Sequence, residues 1–410
     1  MRAAYYSPLP PERSGIADYS ALLLPALARH LELAVVRPGH RRPPRGVDIS
    51  LYHVGNDPDA HGWILDALRR RPGLVVLHDF VLHHLVAGST LGRRDGAGYL
   101  AALERDAGLA GRLLAHGVLE GRVAPLWETR PQDFPLTQEI LPLATGLVVH
   151  SRYVESRVRE RGYRGPIWRI PHPAWPVPRV SPAAVGGSPL IGCFGHLNAS
   201  KRIPQLLTAF ARLREAHPRA RLVLVGPEAP RFRVAERLER LDLPDGAVHR
   251  EQYVSEERLW SLLAACDICV NLRWPTMGET SGSAIRALSL GRPLVVSDSG
   301  WFSELPDGVA LKVPVDDWEV DTLVAALDLL AADGDARTEL GTAGRRYAES
   351  ELELDRVAEL YAETLELAAG GSRVRDAVLR EVAEAASATS LGDGEISLVA
   401  RRLAGAGLLG

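Results

Sequence analysis

Short apolar runs alternate with amphipathic helical stretches along most of this 410-residue chain, and this alternation limits the folds that it can adopt. Such a rhythm is typical of βαβ units in parallel sheets. We assign strands to residues 2–6, 33–36, 49–53, 74–78, 147–150, 190–194, 222–225, 247–250, 268–272, 294–297 and 309–313. The pattern predicts an α/β fold of two Rossmann-like, doubly wound domains facing each other across a cleft, where such folds bind ligands.

A proline-rich segment separates the two halves. Residues 166–189 contain seven prolines and the pair Gly186-Gly187, and they interrupt the alternation. We place an N-terminal domain at 1–170, a linker at 171–189 and a C-terminal domain at 190–354. Residues 355–410 have a helical, alanine-rich pattern, and we expect part of them to pack back on the N-terminal domain.

Charge and hydropathy exclude several classes of protein. The formal net charge of -3 shows no basic excess, which argues against a nucleic-acid partner. No apolar run approaches the roughly 18–20 residues of a membrane span, and the N-terminus lacks a signal-peptide pattern. We therefore expect a cytoplasmic protein. The triplet Arg69-Arg70-Arg71 would suit either peripheral contact with an anionic membrane or a solvated helix end, and nothing indicates the oligomeric state.

One lysine marks a candidate anion site. The chain contains only Lys201 and Lys312, and Lys201 follows an apolar strand and a glycine loop just before a helical run that begins at Ile203. The N–H groups and the dipole at a helix start favour a phosphate, and a nearby ammonium strengthens that attraction. The alternative is a solvated lysine at a helix start.

A second loop, residues 271–283, repeats this arrangement. It follows a predicted strand and opens another helix, and Thr280, Ser281 and Ser283 are residue types that cap helices. Glu279 precedes these donors, and a carboxylate there would accept hydrogen bonds from hydroxyl groups. Two helix starts suited to phosphate exceed what capping alone requires, so we predict a site for a phosphorylated, hydroxyl-rich ligand.

Several segments carry a resemblance to a known family. They are residues 195–201, 222–226, 278–293 and 300–305 in the second half, and 10–17, 76–79, 148–151 and 170–173 in the first. With these segments the chain resembles the retaining glycosyltransferases of the GT-B fold, in the group 1, family 4-like set that includes sucrose synthase-like enzymes and mannosyltransferases. The resemblance extends over residues 5–365 or so.

The resemblance implies a function and a set of site residues. It implies transfer of a sugar from a UDP- or GDP-linked donor to a hydroxyl of a glycan, glycolipid or small molecule, by front-face attack with retention, without metal or other cofactor. Lys201 would hold the diphosphate, and His78 would position hydroxyls beside the sugar, with Asp79 a candidate to orient its imidazole. The implied catalytic residues are His78, Lys201 and Glu279. The implied donor-binding residues are Gly15, Ile16, His196, Asn198, Lys201, Arg202, Arg273, Glu279, Thr280, Ser281, Gly282 and Ser283.

The chain departs from the family pattern at three positions. His196 stands where the family often has arginine, so Arg202 or Arg273 would supply the second phosphate contact. Of two family glutamates eight residues apart, the first position is Gly278 and the second, which usually binds ribose, is Arg286. Glu279 is the nearest substitute for the first.

Other functions fit parts of the same pattern. A catalytically weak sugar-nucleotide-binding partner of another transferase would tolerate His196 and Arg286. A sugar epimerase of the same fold would need more carboxylates than Glu279 and Glu304. Asp79 and His83 with their neighbouring histidines could form a metal cluster if a helix already begins at Asp79. The acceptor stays open, because residues 88–135 could be a lid, an acceptor wall or plain packing.

Overall fold

Two six-stranded parallel sheets build the molecule. The computed structural model describes residues 1–40, 44–229, 232–370, 382, 384–386, 389 and 392–405. The strand order is β2-β1-β3-β4-β5-β6 in the N-terminal sheet and β12-β11-β10-β7-β8-β9 in the C-terminal sheet. Both orders reverse next to the first strand, which is the topological switch point of a doubly wound sheet. The predicted fold class is confirmed.

The N-terminal sheet has helices on both faces. Its elements are β1 Arg2–Tyr6, α1 Gly15–Leu27, β2 Glu32–Val36, β3 Ile49–Val54, α2 Pro58–Arg70, β4 Gly73–Leu77, α3 His83–Thr90, α4 Gly96–Leu119, α5 Leu126–Thr129, β5 Ala144–Val149, α6 Arg152–Glu160 and β6 Ile167–Arg169. Strands β3 and β4 are buried along their whole length, as strands of a parallel sheet covered on both faces should be. The histidines at or just after their carboxyl ends, His53 and His78, are buried as well.

The C-terminal sheet repeats the design. Its elements are β7 Leu190–Phe194, α7 Ile203–Ala216, β8 Arg221–Val225, α8 Val234–Glu239, β9 Val248–Glu251, α9 Glu256–Ala265, β10 Ile268–Asn271, α10 Gly282–Ser289, β11 Leu294–Ser297, β12 Leu311–Val313, α11 Glu319–Ala332 and α12 Gly334–Glu351. The switch point lies between β7 and β10, which pair directly. The loops after these two strands are the two glycine loops that the sequence singles out.

The structure differs from the prediction from sequence in local details. Residues 167–169, inside the proline-rich segment, form an edge strand on β5 that was not predicted from the sequence. Helix α3 begins only at His83, so Asp79 lies before it and the two share no helical face. Residues 88–135 contain the long helix α4, which has non-helical dihedrals at Ala107 and Gly108, and its helical segments pack on α3.

The helix that follows the C-terminal domain packs on the N-terminal domain. Helix α13, Leu354–Ala369, lies against α1, and its Tyr361, Val357 and Leu365 are buried in the core beneath β1 and β3. The hydroxyls of Tyr361 and Tyr19 are 2.7 Å apart. Beyond it, α14 covers Asp393–Gly405, and the other residues of 371–410 lie largely outside the described part. None of the described helices is long and apolar enough to cross a bilayer.

Direct contacts join the domains on one side of the cleft. The N–H groups of Phe80 and Val81 donate to the carbonyl of Met277 over 2.7 and 2.9 Å. The carboxylate of Glu304 accepts from the backbone N–H groups of Arg152 and Tyr153 at the start of α6, over 2.9 and 2.7 Å. Glu304 is therefore a helix-capping clamp between the domains.

We expect Tyr361→Ala to destabilise the N-terminal domain by about 3–5 kcal/mol, because it leaves a cavity among fully buried side chains and removes the partner of Tyr19. Denaturant unfolding followed by tryptophan fluorescence would measure this. Leu367→Ala on the same helix is the control, since Leu367 is 55% exposed and should cost little. Equal effects of the two changes would contradict the packing described here.

Candidate active site

A cleft of about 800 Å³ lies between the domains, at the carboxyl ends of the strands. This volume falls within the range of roughly 300–1,000 Å³ that small-molecule sites occupy. Of the residues implied by the family resemblance, the cleft is lined by Gly15, Ile16, His78, His196, Glu279, Thr280, Gly282 and Ser283. The remaining ones lie behind these lining residues or outside the cleft.

Lys201 lies directly behind the cleft wall. Its side chain is buried, and its ammonium donates to the carbonyl of Phe194, the last residue of β7. Gly195 lines the cleft in front of it, with a φ of +100°, and a Cβ there would lie 2.5 Å from the Lys201 Nζ. Only glycine lets the ammonium sit so close to the cleft.

The Lys201 ammonium lacks a carboxylate partner among the described residues. The Glu279 carboxylate attracts the Lys201 charge only weakly and is itself paired with Arg273. Burial, with Arg273 adding repulsion, lowers the pKa of Lys201 to about 8. Below pH 8 this is a buried positive charge that nothing compensates fully, which favours an anion in the cleft.

Asn198 and Arg202 shape the lysine loop rather than the cleft. The Asn198 side-chain oxygen accepts from the Lys201 N–H over 3.0 Å and from the Ser200 hydroxyl over 2.8 Å. Arg202 has a left-handed φ of 54° and forms an ion pair with Glu319, its Nε 2.9 Å from Oε1. The structure thus places Arg202 away from the cleft.

The second loop holds Glu279 by several contacts. Its Oε1 lies 2.8 Å from Arg273 Nε, and its Oε2 accepts from the Met277 N–H over 2.7 Å and from the Thr276 hydroxyl over 3.1 Å. Gly278 explains why the carboxylate comes one position late. A Cβ at Gly278 would lie 2.6 Å from Cβ of Phe80 in the other domain, so no side chain fits there.

An asparagine that was not predicted as a site residue holds the side chains at the start of α10. The Asn271 amide, at the end of β10, donates to the hydroxyls of Ser281 and Ser283 over 2.9 and 2.8 Å. Ser281 also caps the helix by accepting from the Ala284 N–H. The Ser283 hydroxyl lies 3.4 Å from the Phe194 carbonyl that Lys201 also uses. The two predicted helix starts are therefore adjacent in space.

A chain of buried histidines lies at the floor of the cleft, and two of its members, His78 and His150, line it. The Ile170 carbonyl lies 2.8 Å from Nδ1 of His150, so this nitrogen donates and Nε2 accepts. That Nε2 is 3.3 Å from Nδ1 of His78, and Nε2 of His78 is 3.0 Å from Nδ1 of His53. One carbonyl thus fixes the tautomer of all three rings if they are neutral, and both nitrogens of His78 are engaged.

Burial keeps these rings uncharged at neutral pH. It is the main cause that lowers the pKa of His53 and His78 well below the ordinary value, with the neighbouring histidines adding to the effect. Burial likewise lowers the pKa of His61 and His150 to about 4, and that of His172 to about 3. The histidines come from strand ends, from helix α2 and from the linker, and only His78 among them was predicted as a site residue.

Asp79 does not orient the imidazole of His78, contrary to the expectation from sequence. Its Oδ2 accepts from the Asn56 N–H over 2.8 Å, and both His78 nitrogens face other histidines. Burial and then the charge of Glu279 raise the pKa of Asp79 to about 7. Within the part of the chain that the structure describes, no group of three or more His, Cys, Asp or Glu residues has the geometry to hold a metal ion.

Comparisons with known proteins agree with this architecture. Residues 188–333 match the family described as Glycosyl transferases group 1. No curated protein matches the sequence at a significant level. Sucrose-phosphate synthase from Thermosynechococcus elongatus is similar with a TM-score of 0.62 and 20% identity, covering 90% of this chain and 98% of that chain.

Two further solved structures are also similar. HepE of Anabaena, solved with UDP and glucose, gives a TM-score of 0.60 and 15% identity, covering 89% of this chain and 99% of that chain. The pneumococcal O-GlcNAc transferase GtfA, solved with UDP and GlcNAc, gives 0.52 and 12%, covering 78% and 57%. These likenesses show the GT-B fold. The family match over residues 188–333 supports a sugar transferase, so the prediction of a transferase enzyme is confirmed.

The buried histidines predict a loss of stability in acid. Well above pH 6.5 the imidazoles are neutral in the folded and in the unfolded protein. Below pH 6.5 the unfolded chain takes up protons that the folded protein excludes. The loss of stability grows until the pH reaches the pKa of the folded state, which is about 4 for His61 and His150 and about 3 for His172. At pH 5, His61, His150 and His172 should each cost about 2 kcal/mol. Thermal unfolding at pH 7 and 5 would measure this. His172→Gln should reduce the pH dependence and exposed His30→Gln should not; the reverse result would refute the argument.

Proposed function

We propose that this protein transfers a sugar from a nucleoside-diphosphate sugar to an acceptor hydroxyl, with retention of anomeric configuration and without a metal. The observation that carries the proposal is the buried Lys201 ammonium behind Gly195, next to the start of α10. As the bond between sugar and diphosphate breaks, negative charge develops on the leaving phosphate. Fixed donors aimed at that charge lower the barrier, so the protein's own groups supply the stabilisation that a metal gives elsewhere.

Two of the four carboxylates that line the cleft, Glu279 and Asp79, are engaged in ways that favour direct front-face transfer over a covalent sugar–enzyme intermediate. A nucleophilic carboxylate must be ionised and free to attack. Glu279 is held by Arg273, Thr276 and the Met277 N–H, and Asp79 has a pKa of about 7 and accepts from Asn56. We propose instead that the acceptor hydroxyl attacks on the side from which the diphosphate departs. Its oxygen bonds to the sugar carbon as the sugar–phosphate bond breaks, and its proton passes to the departing phosphate oxygen.

His78 and Glu279 are proposed to position hydroxyl groups. The hydrogen bond between His78 and His150 is long, 3.3 Å, and a sugar hydroxyl could replace His150 as its acceptor. Glu279 keeps lone pairs for hydroxyls after its three protein contacts. Gly15 and Ile16 line the opposite wall at the start of α1, where backbone N–H groups are open to a phosphate.

UDP is the donor nucleotide that we propose to test first, because HepE and the pneumococcal GtfA were solved with UDP. GDP is the alternative. Thermal shift with UDP, GDP, ADP and TDP would decide, since a ligand at hundreds of times its dissociation constant raises stability by about 3 kcal/mol or more. The nucleotide that belongs to the donor should give the largest shift.

Lys201→Met should lower turnover by about 10²–10³-fold, because it removes the buried charge that meets the leaving diphosphate while keeping the bulk of the side chain. The assay is slow hydrolysis of UDP-glucose and GDP-mannose, which a transferase shows without acceptor and a pure sugar-nucleotide binder does not. Lys312→Met is the matched control, because the only other lysine contacts Ser303 and Asp307 outside the cleft. Equal rates for both variants would refute the proposal.

A further inference from the structure

Arg286 of α10 is a buried cation on the cleft, at a position where the sequence departs from the family pattern. It is 5% exposed and it lines the cleft. Side chains of a helix lean towards its N-terminus, and that of Arg286 reaches back to the first turn. A Cβ built on Gly282 would lie 3.4 Å from its Nη1. The guanidinium therefore lies beside the open N–H groups at the start of α10.

Three neighbours hold this guanidinium in one orientation. It stacks on Trp175 of the linker, with 3.7 Å between Cζ and the ring centroid. Its Nε and Nη2 donate to one oxygen of Glu256, at the start of α9, over 3.2 and 3.0 Å. Trp260 donates to the same oxygen over 2.9 Å, which fixes the carboxylate. The side chain is thus preorganised before any ligand arrives.

One edge of the guanidinium stays available. Nη1 has no hydrogen-bond partner among the described residues, although the side chain as a whole is nearly buried. A buried guanidinium with a free donor edge favours a planar pair of acceptor oxygens such as a phosphate presents. Glu256 offsets part of the charge but is half exposed, and the carboxylate that faces the site from the other domain, Asp18, makes no ion pair with Arg286.

The position relative to Lys201 identifies the anion. The Ser283 hydroxyl and the Lys201 ammonium approach the same Phe194 carbonyl, so the α10 start and the lysine are adjacent. Arg286 lies one turn further along that helix. A diphosphate bound at the helix start would therefore lie between an ammonium and a guanidinium. Arg202 and Arg273, the cations expected from sequence to assist Lys201, are instead paired with Glu319 and Glu279.

We infer that Arg286 is a donor-binding residue that contacts the diphosphate of the nucleotide through Nη1, and that Trp175 and Glu256 are the residues that position it. This inference rests on the proposed function. The site then binds the nucleotide through its phosphate charge at the position where the related family usually binds ribose through a carboxylate. It should discriminate strongly between nucleoside diphosphates and free nucleosides.

Calorimetric titration with UDP and uridine, and with GDP and guanosine alongside, tests the inference. Arg286→Gln should weaken UDP or GDP binding about 10- to 100-fold and leave the nucleoside within about threefold, since a charge-assisted hydrogen bond contributes roughly 1.5–3 kcal/mol. Arg345→Gln is the control, because Arg345 is exposed on α12 and pairs with Glu349 on the same helix. Equal losses for nucleotide and nucleoside, or no loss, would overturn the inference.

A second variant keeps the test valid if Arg286→Gln does not fold. In Gly282→Ala the new methyl would lie 3.0 Å from Trp175, so it should shift the indole, and with it the guanidinium that stacks on the indole, without removing the charge. The same selective loss of nucleotide affinity is expected, and an unchanged affinity would contradict the contact. Wild-type protein that binds UDP while Arg286 proves irrelevant refutes this inference alone. Wild-type protein that binds no nucleoside diphosphate refutes the proposed function as well.

Discussion

The site depends on the hydrogen bonds that the Phe194 carbonyl, at the end of β7, accepts. This carbonyl accepts from the buried Lys201 ammonium and lies within reach of the Ser283 hydroxyl, so it joins the two glycine loops at the switch point of the C-terminal sheet. A neutral carbonyl compensates a buried charge only in part. The ammonium behind Gly195 therefore remains a partly uncompensated positive charge, and an anionic ligand in the cleft would compensate it.

The floor of the cleft is made of uncharged rings. The imidazoles of His53, His78 and His150 form a directed chain that ends at the Ile170 carbonyl, and Tyr19 packs against it with its hydroxyl on Tyr361. Uncharged rings can accept and donate hydrogen bonds with sugar hydroxyls without competing for the diphosphate. Helix α13 packs beneath this floor against α1, β1 and β3. Segments more than 300 residues apart in the sequence therefore build the same part of the core.

Much of the architecture could be predicted because it is encoded locally. Apolar strands followed by glycine loops and capped helices appear in the sequence as contiguous patterns, and both loops of the C-terminal half lie where the pattern placed them. Strand β6 was missed because it has only three residues and lies among prolines. The floor of histidines could not be read, because its members come from several strand ends and meet only through the sheet order.

Long-range contacts also account for two of the three departures from the family pattern. At Gly278, Phe80 of the other domain occupies the space of a side chain. Arg286 is held and partly balanced by Glu256, thirty positions earlier on another helix. Neither relation has a signal in local spacing. A sequence comparison alone reports them as losses, whereas the structure gives each a partner.

Proton uptake on nucleotide binding tests the central claim most directly. The pKa of Lys201 in the free protein is about 8, so at pH 9 the amine is mostly neutral, and a bound diphosphate should raise its pKa and recharge it. Titration calorimetry with UDP at pH 9, in two buffers of different ionisation enthalpy, should show uptake of close to one proton per UDP, and none in Lys201→Met. Tight binding of UDP by the wild-type protein with no proton uptake at pH 9 would contradict the account.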